Sequence, residues 1–141
     1  EVPGATGGLD TNYEGKAQAA LNALLKDGLD FVYIHVEAPD EMGHQGSMER
    51  KVQAIEYLDE KVIGPMVEKL EQAGVDFRML VLPDHPTPIR VRTHTSANVP
   101  YMLYDSTAKQ NNAWNYNEAE ALKSGNLEPV GHKLIEKLLE A

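Results

Sequence analysis

The sequence contains no cysteine. That excludes disulfides and thiolate metal sites, and it makes a reducing, cytoplasmic setting the default expectation. Any metal must then be held by His, Asp, Glu or backbone oxygen. Long hydrophobic runs are also missing: nothing approaches the roughly 20 apolar residues that a membrane-spanning helix needs, so no membrane partner is expected. Positive charge is scarce, with 13 Lys and Arg against 22 Asp and Glu and a formal net charge of −9. A nucleic-acid partner, which calls for a basic face, is not expected. An acidic protein that handles an anionic substrate needs local positive charge, and bound metal ions supply it.

What remains is an ordinary soluble-protein composition over 141 residues, 42% hydrophobic and 25% charged, a length that fits one domain. The chain opens on Glu1 rather than Met, and EVPGATGGLDT reads as the middle of something longer. The expectation is therefore a partial chain.

Glycine and proline punctuate residues 3–8 as loop. Thr11 and Glu14 have capping-box spacing ahead of a helix over 12–26, with Ala17, Leu21, Leu24 and Leu25 on its apolar face. Residues 29–36 (LDFVYIHV) form a short β-branched and aromatic run, which predicts a strand buried on both faces. Ser47 caps a long helix to about Ala73, with Gly64-Pro65 as the expected kink and Gly74 as the stop. Residues 77–82 and 98–104 predict two more strands. Residues 105–127 are polar and irregular apart from a short helix near 118–122, and Glu128-Pro129 opens a last helix. The order predicts an α/β fold of three layers, a mostly parallel sheet flanked by helices.

Ligand-type residues cluster just after the ends of the expected strands. Asp40 and His44 follow the first, Asp84 and His85 follow the second, and His94 precedes the third. In open α/β sheets the carboxyl ends of strands are where ligands bind. Imidazole and carboxylate suit Zn²⁺ and Mn²⁺. The Asp-x-x-x-His spacing lets both residues of the first pair bind one ion. The adjacent Asp84-His85 pair can serve one ion from a curved loop or straddle two. Five ligands exceed the three plus an open position of a catalytic zinc site. A pair of ions fits better, as in two-metal phosphoryl transfer. The plainer alternative is a hydrogen-bonded polar network without metal.

His35 alternates within the first strand and is expected as a hydrogen-bonded interior histidine or a support for a metal ligand. His132 is expected to be exposed. Arg90 and Arg92 lie between the ligand groups and are candidates for phosphate contact. Glu37 is either a support for the site or a solvated carboxylate. Ser47, Ser96, Ser106 and Ser124 sit in no nucleophile motif, and GATGG lacks the Lys-Ser/Thr ending of a phosphate loop.

The segments EAPDEMGHQG and LPDHPTPIRVRTHTSANVPYMLY, with the opening VPGATGGLDTNYEGKA, resemble the cofactor-independent phosphoglycerate mutases, in particular their archaeal-type branch, over about residues 2–104. That family lies in the alkaline phosphatase superfamily, so the resemblance implies an alkaline-phosphatase-like fold. It divides the ligands: Asp40, His44 and His94 for a first ion, Asp84 and His85 for a second. The ions implied are two divalent metals, Mn, Mg, Zn or Co. It also implies that residues 1–141 are the C-terminal part of the metal-binding domain, with the N-terminal part and an inserted domain absent. The second ion's remaining Asp and Ser, the latter the nucleophile, would then lie upstream. The implied activity is interconversion of 3-phosphoglycerate and 2-phosphoglycerate through a phosphoserine, with the isolated piece inactive. The alternatives are another phosphoryl-transfer enzyme of the superfamily (a phosphatase, a phosphopentomutase or a homoserine-kinase-labelled relative) or a non-catalytic domain. The partner is a small phosphorylated substrate. A partial sheet also leads us to expect self-association through its uncovered surface.

Overall fold

The structure is a computed structural model, and it describes residues 1–108 and 115–140. Two compact units emerge, one from Glu1–Val75 with Thr87–Thr95, the other from Asp76–Pro86 with Ser96–Ala141.

The first unit is helical. Helix α1 (Tyr13–Leu25) starts at Asn12, whose side chain accepts from the Gly15 amide at 2.9 Å. The cap is thus one residue later than the Thr11 capping box predicted. Thr11 Oγ1 accepts instead from the Thr6 amide and ties down the glycine-rich opening. Helix α2 (Ala38–His44) follows with Pro39 in its first turn. Helix α3 (Met48–Leu58) is capped by Ser47 as expected, its hydroxyl accepting from the Arg50 amide.

The long helix is interrupted, but before the predicted Gly64-Pro65 kink. Residues Asp59–Ile63 form a π turn closed by Gly64 N–H donating to the Asp59 carbonyl. Helix α4 (Gly64–Ala73) then runs on to Gly74, which adopts φ 66° and terminates it. Pro65 explains the displacement: its ring crowds the carbonyl four residues back, so the preceding turn widens to accommodate it.

The core of this unit comes from Tyr13, Ala17, Ala20 and Leu21 of α1, Ala38 and Met42 of α2, Ala54 of α3, and Val62, Met66 and Leu70 beyond it. Small alanines let the helices approach closely, and Tyr13 packs edge-on to Tyr57 with centroids 5.7 Å apart.

Residues 29–36 do not form the predicted strand. Exposure alternates with period two from Phe31 to Glu37, odd positions exposed and even ones half-buried, as in an extended chain. No ladder partner exists for them among the described residues, and Tyr33 is 75% exposed. The sequence supplies an apolar run, but a strand also needs a neighbour to bond to.

In the second unit, strands β1 (Arg78–Val81) and β2 (Met102–Asp105) pair antiparallel, with Arg78 opposite Asp105 and Val81 opposite Met102. Among the described residues this is the whole sheet, two antiparallel strands rather than the mostly parallel sheet expected. Phe77 and Tyr104 pack at 5.5 Å. Helix α5 (Glu118–Ser124) is capped by Asn117 and ends at Gly125. A 3-10 turn at Gly131–Lys133 leads into helix α6 (Leu134–Leu139), which packs on β1. Part of the segment expected to be irregular, 109–114, lies outside the described residues. Among the described residues, no helix is long and apolar enough to cross a membrane.

Candidate metal centre

Helix α2 is short, yet its two ends carry Asp40 and His44 four residues apart, on one face. Their functional atoms meet: His44 Nε2 lies 3.2 Å from Asp40 Oδ2. The third member comes from residues 87–95, which turn back onto α2 within the same unit. His94 Nε2 is 3.1 Å from His44 Nε2 and 3.4 Å from Asp40 Oδ1. The three residues assigned to a first ion therefore converge on one point, in a group with the composition of a metal site.

The turn is built from unusual parts. The amides of Val91 and Arg92 both donate to the Pro88 carbonyl at 2.9 Å. Arg92 then takes φ 58°, the left-handed conformation a side chain disfavours. This aims the Arg92 carbonyl at His44 Nδ1, 3.0 Å away. A carbonyl only accepts, so Nδ1 carries the proton and Nε2 presents its lone pair toward His94 and Asp40.

Residues 87–95 approach α2 closely because position 43 is glycine. A Cβ there would run into the Thr87 carbonyl and crowd Lys51 Nζ and the Thr87 methyl. Gly46, at φ 70°, similarly leaves room for the Arg92 guanidinium. Lys51 Nζ donates to the Thr87 carbonyl at 2.7 Å, and the Thr87 hydroxyl donates to Asp40 Oδ1. Thr87 is only 3% exposed.

The chemistry of this donor set fits a divalent cation. Metal–ligand distances of about 2.1 Å in tetrahedral geometry put ligand atoms about 3.4 Å apart; the two imidazole nitrogens are 3.1 Å apart, Asp40 reaches His44 with Oδ2 at 3.2 Å and His94 with Oδ1 at 3.4 Å, and one ligand atom from each residue lies within 4.8 Å of the others. With His44 Nε2 unprotonated, a proton on His94 Nε2 can bridge some of these atoms, but a cation satisfies all three lone pairs at once.

Asp84 and His85 belong to the second unit. They contact each other, with His85 Nε2 3.2 Å from Asp84 Oδ2 and the His85 amide donating to Asp84 Oδ1. Arg90 and Arg92 are exposed.

His35 is not the interior histidine expected. Its side chain is half exposed, stacked beside Tyr33 and 3.4 Å from Glu37 Oε1. The residues before α2 leave its face open to solvent. Glu37 occupies the N-cap position of α2 without a capping bond from its side chain. His132 is exposed in the 3-10 turn. Among the serines, Ser106 accepts from the Phe77 amide, Ser124 donates to the Ala121 carbonyl and Ser47 caps α3.

Sequence reasoning missed Thr87, Lys51 and the backbone of Arg92. Only Thr87 carried a signal: a lone hydroxyl held between Pro86 and Pro88 beside the Asp-His pair.

Comparison with known proteins adds three findings. The sequence pattern of the Metalloenzyme superfamily matches residues 1–140. Proteins named 2,3-bisphosphoglycerate-independent phosphoglycerate mutase from Methanosarcina acetivorans and Methanothrix thermoacetophila are 50% and 47% identical to 90% and 99% of this chain. The chain spans about a third of the length of these curated relatives, 32% and 35%. The solved structure of the PH0037 protein from Pyrococcus horikoshii superposes on 99% of this chain, with a TM-score of 0.81 and 29% identity. The match covers 41% of that protein.

Proposed function

This chain belongs to the Metalloenzyme superfamily, and from that premise we propose that it forms part of a metal-dependent phosphoglycerate mutase. The reaction interconverts 3-phosphoglycerate and 2-phosphoglycerate through a phosphoserine. The observation that carries this reading is the convergence of Asp40, His44 and His94. The names of the relatives support the substrate class.

In this reading residues 1–141 are the C-terminal part of an alkaline-phosphatase-like domain, and its N-terminal part and an inserted domain lie outside them. Residues 29–36 join a larger, mostly parallel sheet of a three-layer fold in the longer protein. The protein works in the cytoplasm.

Asp40, His44 and His94 hold a first divalent ion. Asp84 and His85 contribute to a second, together with an Asp and the nucleophilic Ser outside this chain. Mn, Mg, Zn and Co all suit the donor set. Bound ions supply the positive charge that offsets the phosphoryl oxygens. The chain's own residues set how much of that charge is available. One carboxylate and two neutral imidazoles leave a divalent ion with net positive charge, which a site of three carboxylates would cancel. The Arg92 carbonyl keeps His44 in the tautomer that presents Nε2. The guanidinium groups of Arg90 and Arg92 are available to bind the substrate phosphate. The chain by itself binds metal but does not turn over substrate.

The test is phosphorus NMR of 3-phosphoglycerate incubated with the full-length protein. Conversion to 2-phosphoglycerate is expected with divalent metal and not with chelator, and His44→Ala and His94→Ala are expected to abolish it. Full activity in both variants would sink the reading, and release of inorganic phosphate alone would make the protein a phosphatase.

A further inference from the structure

Residues 87–92 hold the Asp40 carboxylate and the His44 imidazole in place. Two contacts do this, and they differ in kind. The first is a side-chain contact: the Thr87 hydroxyl donates to Asp40 Oδ1. Thr87 is itself buried and fixed in place. Its carbonyl receives Lys51 Nζ at 2.7 Å, and prolines precede and follow it. The second is a backbone contact: the Arg92 carbonyl receives His44 Nδ1–H at 3.0 Å, and it points there because Arg92 adopts φ 58°.

We propose that Thr87 and the left-handed backbone of Arg92 are positioning elements of the metal centre, one orienting the Asp40 carboxylate and the other fixing the His44 imidazole. The inference rests on the reading of Asp40, His44 and His94 as metal ligands. It changes the role of Arg92: its carbonyl acts on a ligand whatever its guanidinium does. A carboxylate that accepts a hydroxyl proton at one oxygen cannot rotate freely, and the other oxygen stays turned toward His44 Nε2, 3.2 Å away. Removing such supporting contacts costs about 10- to 100-fold in metal affinity in sites of this kind. Left-handed φ tolerates glycine well and a β-branched residue poorly. The two arms can therefore be tested separately.

The experiment is titration of the full chain with Co²⁺, followed by its visible absorption bands, which report coordination geometry as well as affinity. Far-UV circular dichroism checks the fold of each variant. Thr87→Val, nearly isosteric but without the hydroxyl, is expected to bind Co²⁺ about 10- to 100-fold more weakly and with altered bands. Thr87→Ser is expected to restore both. Arg92→Gly should keep the affinity, and Arg92→Val should lower it. Unchanged affinity and bands in Thr87→Val overturn the Thr87 arm, as does a loss in Thr87→Ser equal to that in Thr87→Val. If Thr87→Val does not fold, the two Arg92 variants decide: Val weaker than Gly supports the proposal, and equal binding overturns it. The underlying metal reading fails differently. In that case the unaltered chain gives no Co²⁺ bands, or His44→Ala leaves them unchanged.

Discussion

With Nδ1 of His44 committed to the Arg92 carbonyl, the acceptor face of the ring is set before any ion arrives. Gly43 matters in a different way. It lies inside α2, where alanine would add about 1 kcal/mol of helix preference. The missing Cβ instead makes room for the Thr87 carbonyl, and overpacking against backbone costs about 1–3 kcal/mol. The second effect is the larger. Gly43→Ala is therefore expected to lower the thermal midpoint and weaken metal binding, and a raised midpoint would show that residues 87–95 do not press on the helix. His35 supplies the contrast. Half exposed and paired with Glu37, it takes no part in the cluster. His35→Ala is expected to leave metal affinity unchanged by calorimetry, and a large loss would mean that the ligand set is wrong.

Among the elements, the β1–β2 pair is closed at one end by Arg78 and Asp105, which face each other in register with Nε 2.7 Å from Oδ2. The Asp105 carboxylate also accepts from the hydroxyl and amide of Thr107. These Thr107 bonds, followed by Arg78, hold its pKa down to about 2, against an ordinary 3.8. A carboxyl whose folded value is the lower one contributes stability that is fully present above the unfolded value and is lost as pH falls through the folded one. Asp105→Asn is thus expected to destabilise the protein near neutral pH. The difference from the unaltered chain should shrink between about pH 4 and pH 2, as followed by denaturant unfolding. A pH-independent difference would rule out the charge as the cause. The elements also mark how far the sequence could be read. The Ser47 cap and the Gly74 stop were legible because each depends on local chemistry, while the apolar runs at 77–82 and 98–104 became strands only at 78–81 and 102–105, where they pair with each other. The interruption ahead of Pro65 was legible in cause but displaced in position, because the turn before the proline yields rather than the proline itself. The run at 29–36 was legible as apolar and extended but not as unpaired, since pairing is a property of a neighbour. Asp40 and His44 could be found from their spacing. His94 was grouped with them by its place before the third strand and by the resemblance, whereas no sequence pattern announced the left-handed arginine beside it.

Taken whole, the chain spans about a third of its curated relatives and leaves large apolar side chains uncovered. Leu29, Phe31 and Tyr33 are exposed along the extended run, and Met48, Val52 and Ile55 along α3. Apolar surface on this scale, part of it on an extended run with no ladder partner among the described residues, favours association. Concentration-dependent self-association is expected in sedimentation experiments on this chain, reduced by Phe31→Lys with Tyr33→Lys, and a clean monomer at high concentration would contradict it. None of these exposed apolar residues is among the candidate ligands Asp40, His44 and His94 or their contacts Thr87, Lys51 and Arg92. The most direct test is calorimetric titration of the chain with Mn²⁺. Saturable, chelator-reversible binding that is lost in both His44→Ala and His94→Ala is the predicted result. Binding that survives unchanged in both variants would contradict the assignment of the site.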